Sequence, residues 1–464
     1  MTFGFETRKC LMNAERKYKM APLVPPGPVI DQTESVCPHC LKTIPATIYE
    51  NGGSVYMGKT CPEHGHCDVY LWPDANHYLW FTNFSFPSKS RTPQTECSDG
   101  CPRDCGLCPN HKRGITLAEI EVTWRCNQSC PVCFMSASDS PPAPDPSLET
   151  IYDMLQTIQR YDGGHASLQI TGGEPTVRAD LPDIIRLARQ AGFSTVEINT
   201  NGLVIGRDRN FLCALKEAGL TNIYLQFDGI TPEVTRILRG EDLFDCKLQA
   251  IENCRLEDMK VILAPTIIKE INDGQMGGLI DFCMNNMDVI GGLAIQPAFL
   301  SGRFDVEMQQ RLSLGDIVAM IEDQTGGKIA ARNFWPLSCI HPLCACSTYL
   351  IGEGENYTTL TSNITESDYT THFNESSPQG SVFADIFANM YHENNAPKGL
   401  GVLIMSYMDA WTLDVKRLQE CNLAVTIRDG RSIPFCAYHL TDTSGRRLYP
   451  LGQRRSSPID CTQV

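Results

Sequence analysis

Residues 123–138 read TWRCNQSCPVCFMSAS, and the three cysteines Cys126, Cys130 and Cys133 fall within eight residues. A closed structural metal site takes four protein ligands, so a triplet this compact points to a metal centre with one coordination position left open. The run EIEVTW immediately before it alternates apolar and polar residues and reads as a β-strand, which puts the triplet at the strand's C-terminal end.

Downstream, short apolar runs alternate with longer amphipathic ones, the pattern of βα units and a parallel sheet. The strands are EIEVTW, SLQITGG, TVEINTN, NIYLQFDG, VILAPTI and LAIQP, with helices expected over 147–162, 180–192, 208–219, 243–257 and 275–287. Six such units predict an α/β fold, a partial (β/α)6 TIM-like barrel with its site at the C-terminal strand ends. TGGEP (171–175), NTNG (199–202) and QFDG (226–229) end successive strands at that edge, each able to hold a polar ligand. Gly172 and Gly173 lack a Cβ and allow close backbone approach.

Upstream, the proline-rich connector APLVPPGPVI (21–30) leads to CPHC and then ATIYENGGSVYMGKTCPEHGHC, two short knuckles joined by a hairpin with an Asn-Gly-Gly turn. Cys37, Cys40, Cys61 and His64 predict a mononuclear zinc-ribbon or rubredoxin-like iron site, with Cys67 as the alternative to His64. ECSDGCPRDCGLCPNHKRG (96–114) is almost devoid of apolar residues and too thiol-dense for core, so Cys97, Cys101, Cys105 and Cys108 predict an auxiliary [4Fe–4S] cluster, zinc being the alternative. In the C-terminal third, Cys339, Cys344 and Cys346 with Cys436 predict a second auxiliary cluster, Cys421 being the alternative fourth ligand. A polar excursion, 353–380, separates the two groups. The expected organisation is an N-terminal metal-binding hairpin module over 1–95, a cluster segment over 96–118, the partial barrel over 119–328 and a cysteine-rich iron–sulfur domain over 329–464.

Composition is consistent with this class. The 464 residues carry 39 basic and 54 acidic side chains, a net charge of -15 that argues against nucleic acid as a partner. The N-terminus lacks an apolar signal region and no stretch reaches the length of a spanning helix, which predicts a cytoplasmic chain. With clustered spacing, the grouped cysteines among the 22 read as metal ligands and not as disulfides, whereas Cys213, Cys246, Cys254 and Cys283 fall singly within expected helices and read as buried thiols.

CNQSCPVC, TGGEP and NTNG, in that order over about 120–300, resemble the radical S-adenosylmethionine superfamily. The resemblance implies that Cys126, Cys130 and Cys133 hold a [4Fe–4S] cluster whose open iron takes the amino and carboxylate groups of S-adenosylmethionine, releasing a 5′-deoxyadenosyl radical on reduction. It also implies that Gly172, Gly173 and Glu174 meet the amino group through their backbone and that Asn199 and Asn201 lie near the ribose. Phe134, Gln226 and Asp228 complete the expected cofactor set. One departure is Val132, where the superfamily most often has an aromatic residue; Phe134 follows the last cysteine instead.

Over nearly its whole length, through CPHC with CPEHG, GCPRDCGLCPNH, CNQSCPVCF, TGGEP, HPLC, MDAWTLDVKR and IPFCAYH, the chain is similar to the branch holding tetraether lipid synthases and proteins labelled pterin methyltransferases. That branch implies C–C bond formation between lipid chains, with a lipid substrate, peripheral membrane contact, an apolar tunnel and a low-potential donor such as ferredoxin or flavodoxin. The alternative it implies is radical modification, for example methylation, of a pterin or peptide. A non-catalytic iron–sulfur electron carrier is the reading from another class, and such a carrier gains nothing from an open iron.

Overall fold

The computed structural model describes residues 25–86, 92–137, 143–162, 166–308, 310–376, 386 and 398–451. The start of the proline-rich connector and the end of the 353–380 excursion lie outside the described residues.

The N-terminal module is a four-stranded antiparallel sheet in chain order, β1 (Val29–Val36), β2 (Thr43–Asn51), β3 (Ser54–Cys61) and β4 (Gly65–Trp72). The expected hairpin is its centre. Asn51 pairs with Ser54 across Gly52 and Gly53, whose φ values of 61° and 86° suit the tight turn and come freely only to glycine. Lys59 leaves this module to anchor it elsewhere: its buried ammonium donates to Val36 O and Ala410 O at 2.9 Å and to Trp411 O at 2.7 Å.

A 13-stranded sheet organises the rest. Its centre is a parallel run in chain order, β5 (Leu117–Thr123), β6 (Ser167–Gly172), β7 (Val196–Thr200), β8 (Asn222–Gln226), β9 (Lys260–Ala264) and β10 (Ile290–Pro297). Helices at Leu148–Asp162, Leu181–Gln190, Arg209–Glu217, Phe244–Leu256 and Met276–Asn285 fall where periodicity placed them. Strand alternation sets the two faces. Ala118, Ile120 and Val122 are fully buried in the main core, while Glu119 lines a cavity on the inner face.

Residues beyond 329 do not form a body apart. β12 (Gly399–Met405) pairs parallel to β10, and β13 (Leu423–Thr426) pairs parallel to β5, so the C-terminal segment extends both edges of the barrel sheet. β11 (Ala345–Glu353) and β14 (Ser432–Pro434) then pair antiparallel outside them. Backbone groups that would be left unpaired at the edges of a six-stranded sheet are satisfied by this return of the chain. Among the described residues, no helix is long and apolar enough to cross a membrane.

Candidate active site

The cysteine triplet sits on the loop that leaves β5, and surrounding elements hold that loop at several points. Gly173 and Glu174 N–H donate to Thr123 O and Arg125 O, each at 2.9 Å. Arg303 Nε donates to Cys130 O at 2.6 Å, Arg239 Nη1 to Val132 O at 2.9 Å, and Arg447 Nη2 to the carbonyls of Phe134 and Met135 at 3.0 Å. All three thiols line one cavity of about 640 Å³ that continues along the inner face of the sheet. Burial pushes the Cys126 thiol up to about 12 and Cys130 upward as well, so a bound metal is what would draw these protons off. Three convergent thiols beside a glycine cradle fit an iron–sulfur cluster with an open position.

The cradle is tight. A Cβ on Gly172 would stand 2.2 Å from Thr123 O, and one on Gly173 2.2 Å from Arg125 O; Gly172 also holds a φ of 146°. A ligand's ammonium only donates, so the groups of this turn able to receive it are carbonyls, while the N–H groups of Gly173 and Glu174 are engaged by the cysteine loop. The Glu174 carboxylate is engaged too. It accepts from Thr176 N at 3.0 Å, Thr200 Oγ1 at 2.7 Å and Asn201 N at 2.7 Å, joining the ends of β6 and β7.

Asn199, Asn201 and Gln226 line the cavity as well. Asn201 Nδ2 donates to Asn127 Oδ1 at 2.8 Å, tying the NTNG turn to the cysteine loop. Asp228 is placed differently from the cofactor-binding role expected of it. Its carboxylate is fully buried in a two-point pair with Arg239, so it acts on the site through that arginine. Phe134 lines the cavity beside the cysteine triplet and packs among Phe299, Phe435 and His439 at ring-centroid distances of 5.8, 5.6 and 4.8 Å. The C-terminal segment thereby packs against the cysteine loop at Phe134.

Arg239 and Lys247 lie outside the site residues expected from the sequence. Lys247 is fully buried and donates to Asn201 O at 3.0 Å, Gln226 O at 2.8 Å and Gln226 Oε1 at 2.6 Å. A row of polar groups on the inner face of the barrel also lies outside that expectation. Glu119, Gln169, Glu197, Asn199, Tyr224 and Gln296 all line the cavity, where barrel interiors ordinarily carry branched apolar residues. Ile262, Leu293, Val402, Leu403 and Met405 share that wall, so the cavity combines carboxyls and amides with apolar side chains and is not the purely apolar tunnel expected for a lipid substrate.

In the N-terminal module, the ligand atoms of Cys37, Cys40, Cys61 and His64 lie within 4.8 Å of one another, the spacing a single ion needs. His64 Nδ1 stands 3.5 Å from Cys37 Sγ and 3.4 Å from Cys61 Sγ. Cys67 lies on β4 opposite Lys59, outside that group. Cys97, Cys101, Cys105 and Cys108 share one loop whose turn is held by Asp104, accepting from the N–H of Ser98 and Gly100 at 2.6 Å. Burial and the neighbouring Cys108 and Cys97 raise the Cys101 thiol to about 11.

The C-terminal cysteines group differently from the expected set of Cys339, Cys344, Cys346 and Cys436. Cys421 has Cys436 and Cys344 as neighbours that, after burial, raise its thiol. Arg417 Nε donates to Cys344 Sγ at 3.4 Å, and Met408 N to Cys436 Sγ at 3.3 Å. Cys346, inside β11, is fully buried in the main core, while Cys344 belongs to the turn before it. Cys339 faces the barrel cavity and accepts from Asn422 Nδ2 at 3.1 Å. The turn-to-strand transition between 344 and 346 separates thiols that are close in the chain.

Residues 120–283 match the radical SAM superfamily, and residues 29–73 match the HMPTM N-terminal zinc ribbon domain. The chain is 34% identical over 472 residues to 7,8-dihydro-6-hydroxymethylpterin dimethyltransferase of Methanocaldococcus jannaschii, covering 88% of this chain and 93% of that one. It is 34% identical over 173 residues to Fe-coproporphyrin III synthase of Methanosarcina barkeri, covering 36% and 42%. Among solved structures, Streptococcus suis SuiB bound to precursor peptide SuiA overlays with a TM-score of 0.40 at 17% identity, covering 47% of this chain and 46% of that one.

Proposed function

Because the chain belongs to the radical S-adenosylmethionine superfamily, in the branch of the 7,8-dihydro-6-hydroxymethylpterin dimethyltransferase it matches over most of both lengths, we propose that it methylates the ring of a reduced pterin. The observation that carries this reading beyond the relative's name is the row of hydrogen-bonding groups, Glu119, Gln169, Glu197 and Asn199, set among apolar side chains on the cavity wall, which suits a flat hydrogen-bonding heterocycle.

In this reading, Cys126, Cys130 and Cys133 ligate a [4Fe–4S] cluster, and the carbonyls of Gly172, Gly173 and Glu174 receive the ammonium of S-adenosylmethionine, with Asn199 and Asn201 near its ribose. When bound, the cluster and S-adenosylmethionine supply hydrogen abstraction from an unactivated C–H bond. Arg239, fixed by Asp228, orients the loop carrying Cys130 and Cys133 through Val132 O. Lys247 braces the ends of β7 and β8 from behind. Phe134, Phe299 and Phe435 pack as a wall beside the cysteine loop and exclude water from that side. Cys37, Cys40, Cys61 and His64 hold zinc, while Cys97, Cys101, Cys105 and Cys108, and separately Cys344, Cys421 and Cys436, ligate auxiliary clusters; a low-potential protein donates electrons.

The test is anaerobic turnover of the cluster-loaded chain with methyl-labelled S-adenosylmethionine, 6-hydroxymethyl-7,8-dihydropterin and phospholipids deuterated along their chains. Labelled methyl groups on the pterin are expected. Deuterium carried from lipid into 5′-deoxyadenosine, with an unmodified pterin, would overturn the reading.

A further inference from the structure

We infer that Glu119 reads the substrate, its carboxyl receiving the paired N–H donors of a 2-amino-4-oxopyrimidine ring deep in the barrel cavity; the inference rests on the pterin reading above. Glu119 is 4% exposed and lines the cavity, yet its carboxyl takes no hydrogen bond among the described residues. Glu121, two residues on, differs in that its Oε2 accepts from Trp124 Nε1 and Tyr438 Oη at 2.7 Å each, while its Oε1 is buried without a partner. In register, Glu119 stands opposite Gln169 and Gln169 opposite Glu197, but the Gln169 amide nitrogen donates to Glu197 and its oxygen accepts from Asn199 Nδ2. Glu119 is thus the one acid of this row without a donor.

A carboxyl that faces a confined cavity with no protein donor is poorly solvated, and a ligand that brings donors recovers that cost. Among the described residues, no third metal-type ligand converges on Glu119 and Glu197, which argues against a cation there. A flat ring presenting N3–H and a 2-amino N–H side by side matches both carboxylate oxygens in one plane. Asn199, one inward step nearer the mouth, also lines the cavity, and its Oδ1 is buried without a partner. From Glu119 to the end of β5 at Thr123, the strand rises about 13 Å, room for a fused two-ring heterocycle whose far end reaches the cysteine loop.

Burial, then Glu121 on the same strand and Glu197 on β7, hold the Glu119 carboxyl up at about 8, with the phenols of Tyr224 and Tyr407 also facing it. In the free protein at neutral pH it therefore carries its proton. Two N–H donors favour the ionised form, so binding moves one proton from Glu119 to the buffer. A side chain that served only to pack would release none.

The experiment is anaerobic titration calorimetry of the full chain at pH 7 in two buffers of different ionisation enthalpy. The probes are 6-hydroxymethyl-7,8-dihydropterin, its analogue lacking the 2-amino group, and GTP, which carries the same ring edge. Wild type is expected to bind the pterin with proton release and the analogue about 10- to 100-fold more weakly without it. Glu119→Gln, which removes an unpaired acid, is expected to bind pterin and analogue alike, with no release. Pterin binding by Glu119→Gln that matches wild type in affinity and proton release would overturn the role of Glu119 and leave the pterin reading standing. A wild type that prefers GTP, with that preference lost in the variant, supports edge recognition by Glu119 and overturns the pterin reading. Wild type that binds neither overturns both. The wild-type comparison of pterin with its analogue needs no variant, so a misfolded Glu119→Gln would not rescue the inference.

Discussion

Arg239 grips Asp228 with two parallel hydrogen bonds of 2.7 Å, Nε to Oδ2 and Nη2 to Oδ1, where both side chains are buried. Its remaining nitrogen donates to Val132 O at 2.9 Å, between Cys130 and Cys133. Substituting Arg239→Met leaves an unpaired buried carboxylate, a loss of about 3–5 kcal/mol. We expect a lower melting temperature and loss of iron from the triplet with zinc retained. Adding Asp228→Leu should recover much of the stability but not the iron, read by calorimetry and metal analysis.

The regrouping of the C-terminal thiols makes a prediction the linear spacing does not. Cys421→Ser is expected to lose one cluster's worth of iron and sulfide, whereas Cys346→Ser should keep the full iron content, because that thiol packs in the apolar core. Equal iron loss in both variants would restore the spacing-based grouping. Mössbauer spectra of the two proteins make the comparison.

At the N-terminal site, His64→Ala should abolish binding of the single ion and Cys67→Ser should leave it, because only the first belongs to the group within 4.8 Å. Elemental analysis distinguishes zinc from iron in the same measurement. Loss of the ion is also expected to free the ribbon locally, raising hydrogen exchange over residues 29–72 first.

Burial draws the Lys247 ammonium down from 10.5 to about 8. Between those values the unfolded chain holds a proton that the folded chain has released, so this residue makes stability rise with pH across roughly 8 to 10.5, by up to about 3 kcal/mol. Lys247→Met should flatten that rise and lower stability at every pH, since the carbonyls of Asn201 and Gln226 lose their donor. Denaturant melts of the two proteins at pH 8 and pH 10 test it.

Much of the molecule is written locally in the chain. The spacing of Cys126, Cys130 and Cys133, the paired knuckles around Gly52 and Gly53, and the alternation of Ala118, Ile120 and Val122 all act within a few residues, and the corresponding loop, turn and strand form where they point. Gly172 and Gly173 are legible for the same reason, since a backbone that passes 2.2 Å from where a Cβ would lie admits no other residue.

What tertiary structure alone decided involves faces and partners far apart in the chain. Glu119 and Glu197 alternate with apolar neighbours as solvent-facing residues do, and only curvature of the sheet turns that face into a cavity wall. Arg239 and Lys247 are cations on helices, and only the packing of those helices against the strand ends buries their charges. Cys421 joins Cys344 and Cys436, and β12 and β13 extend opposite edges of one sheet, because a returning chain satisfies backbone groups and excludes water at sites that no short window of sequence contains.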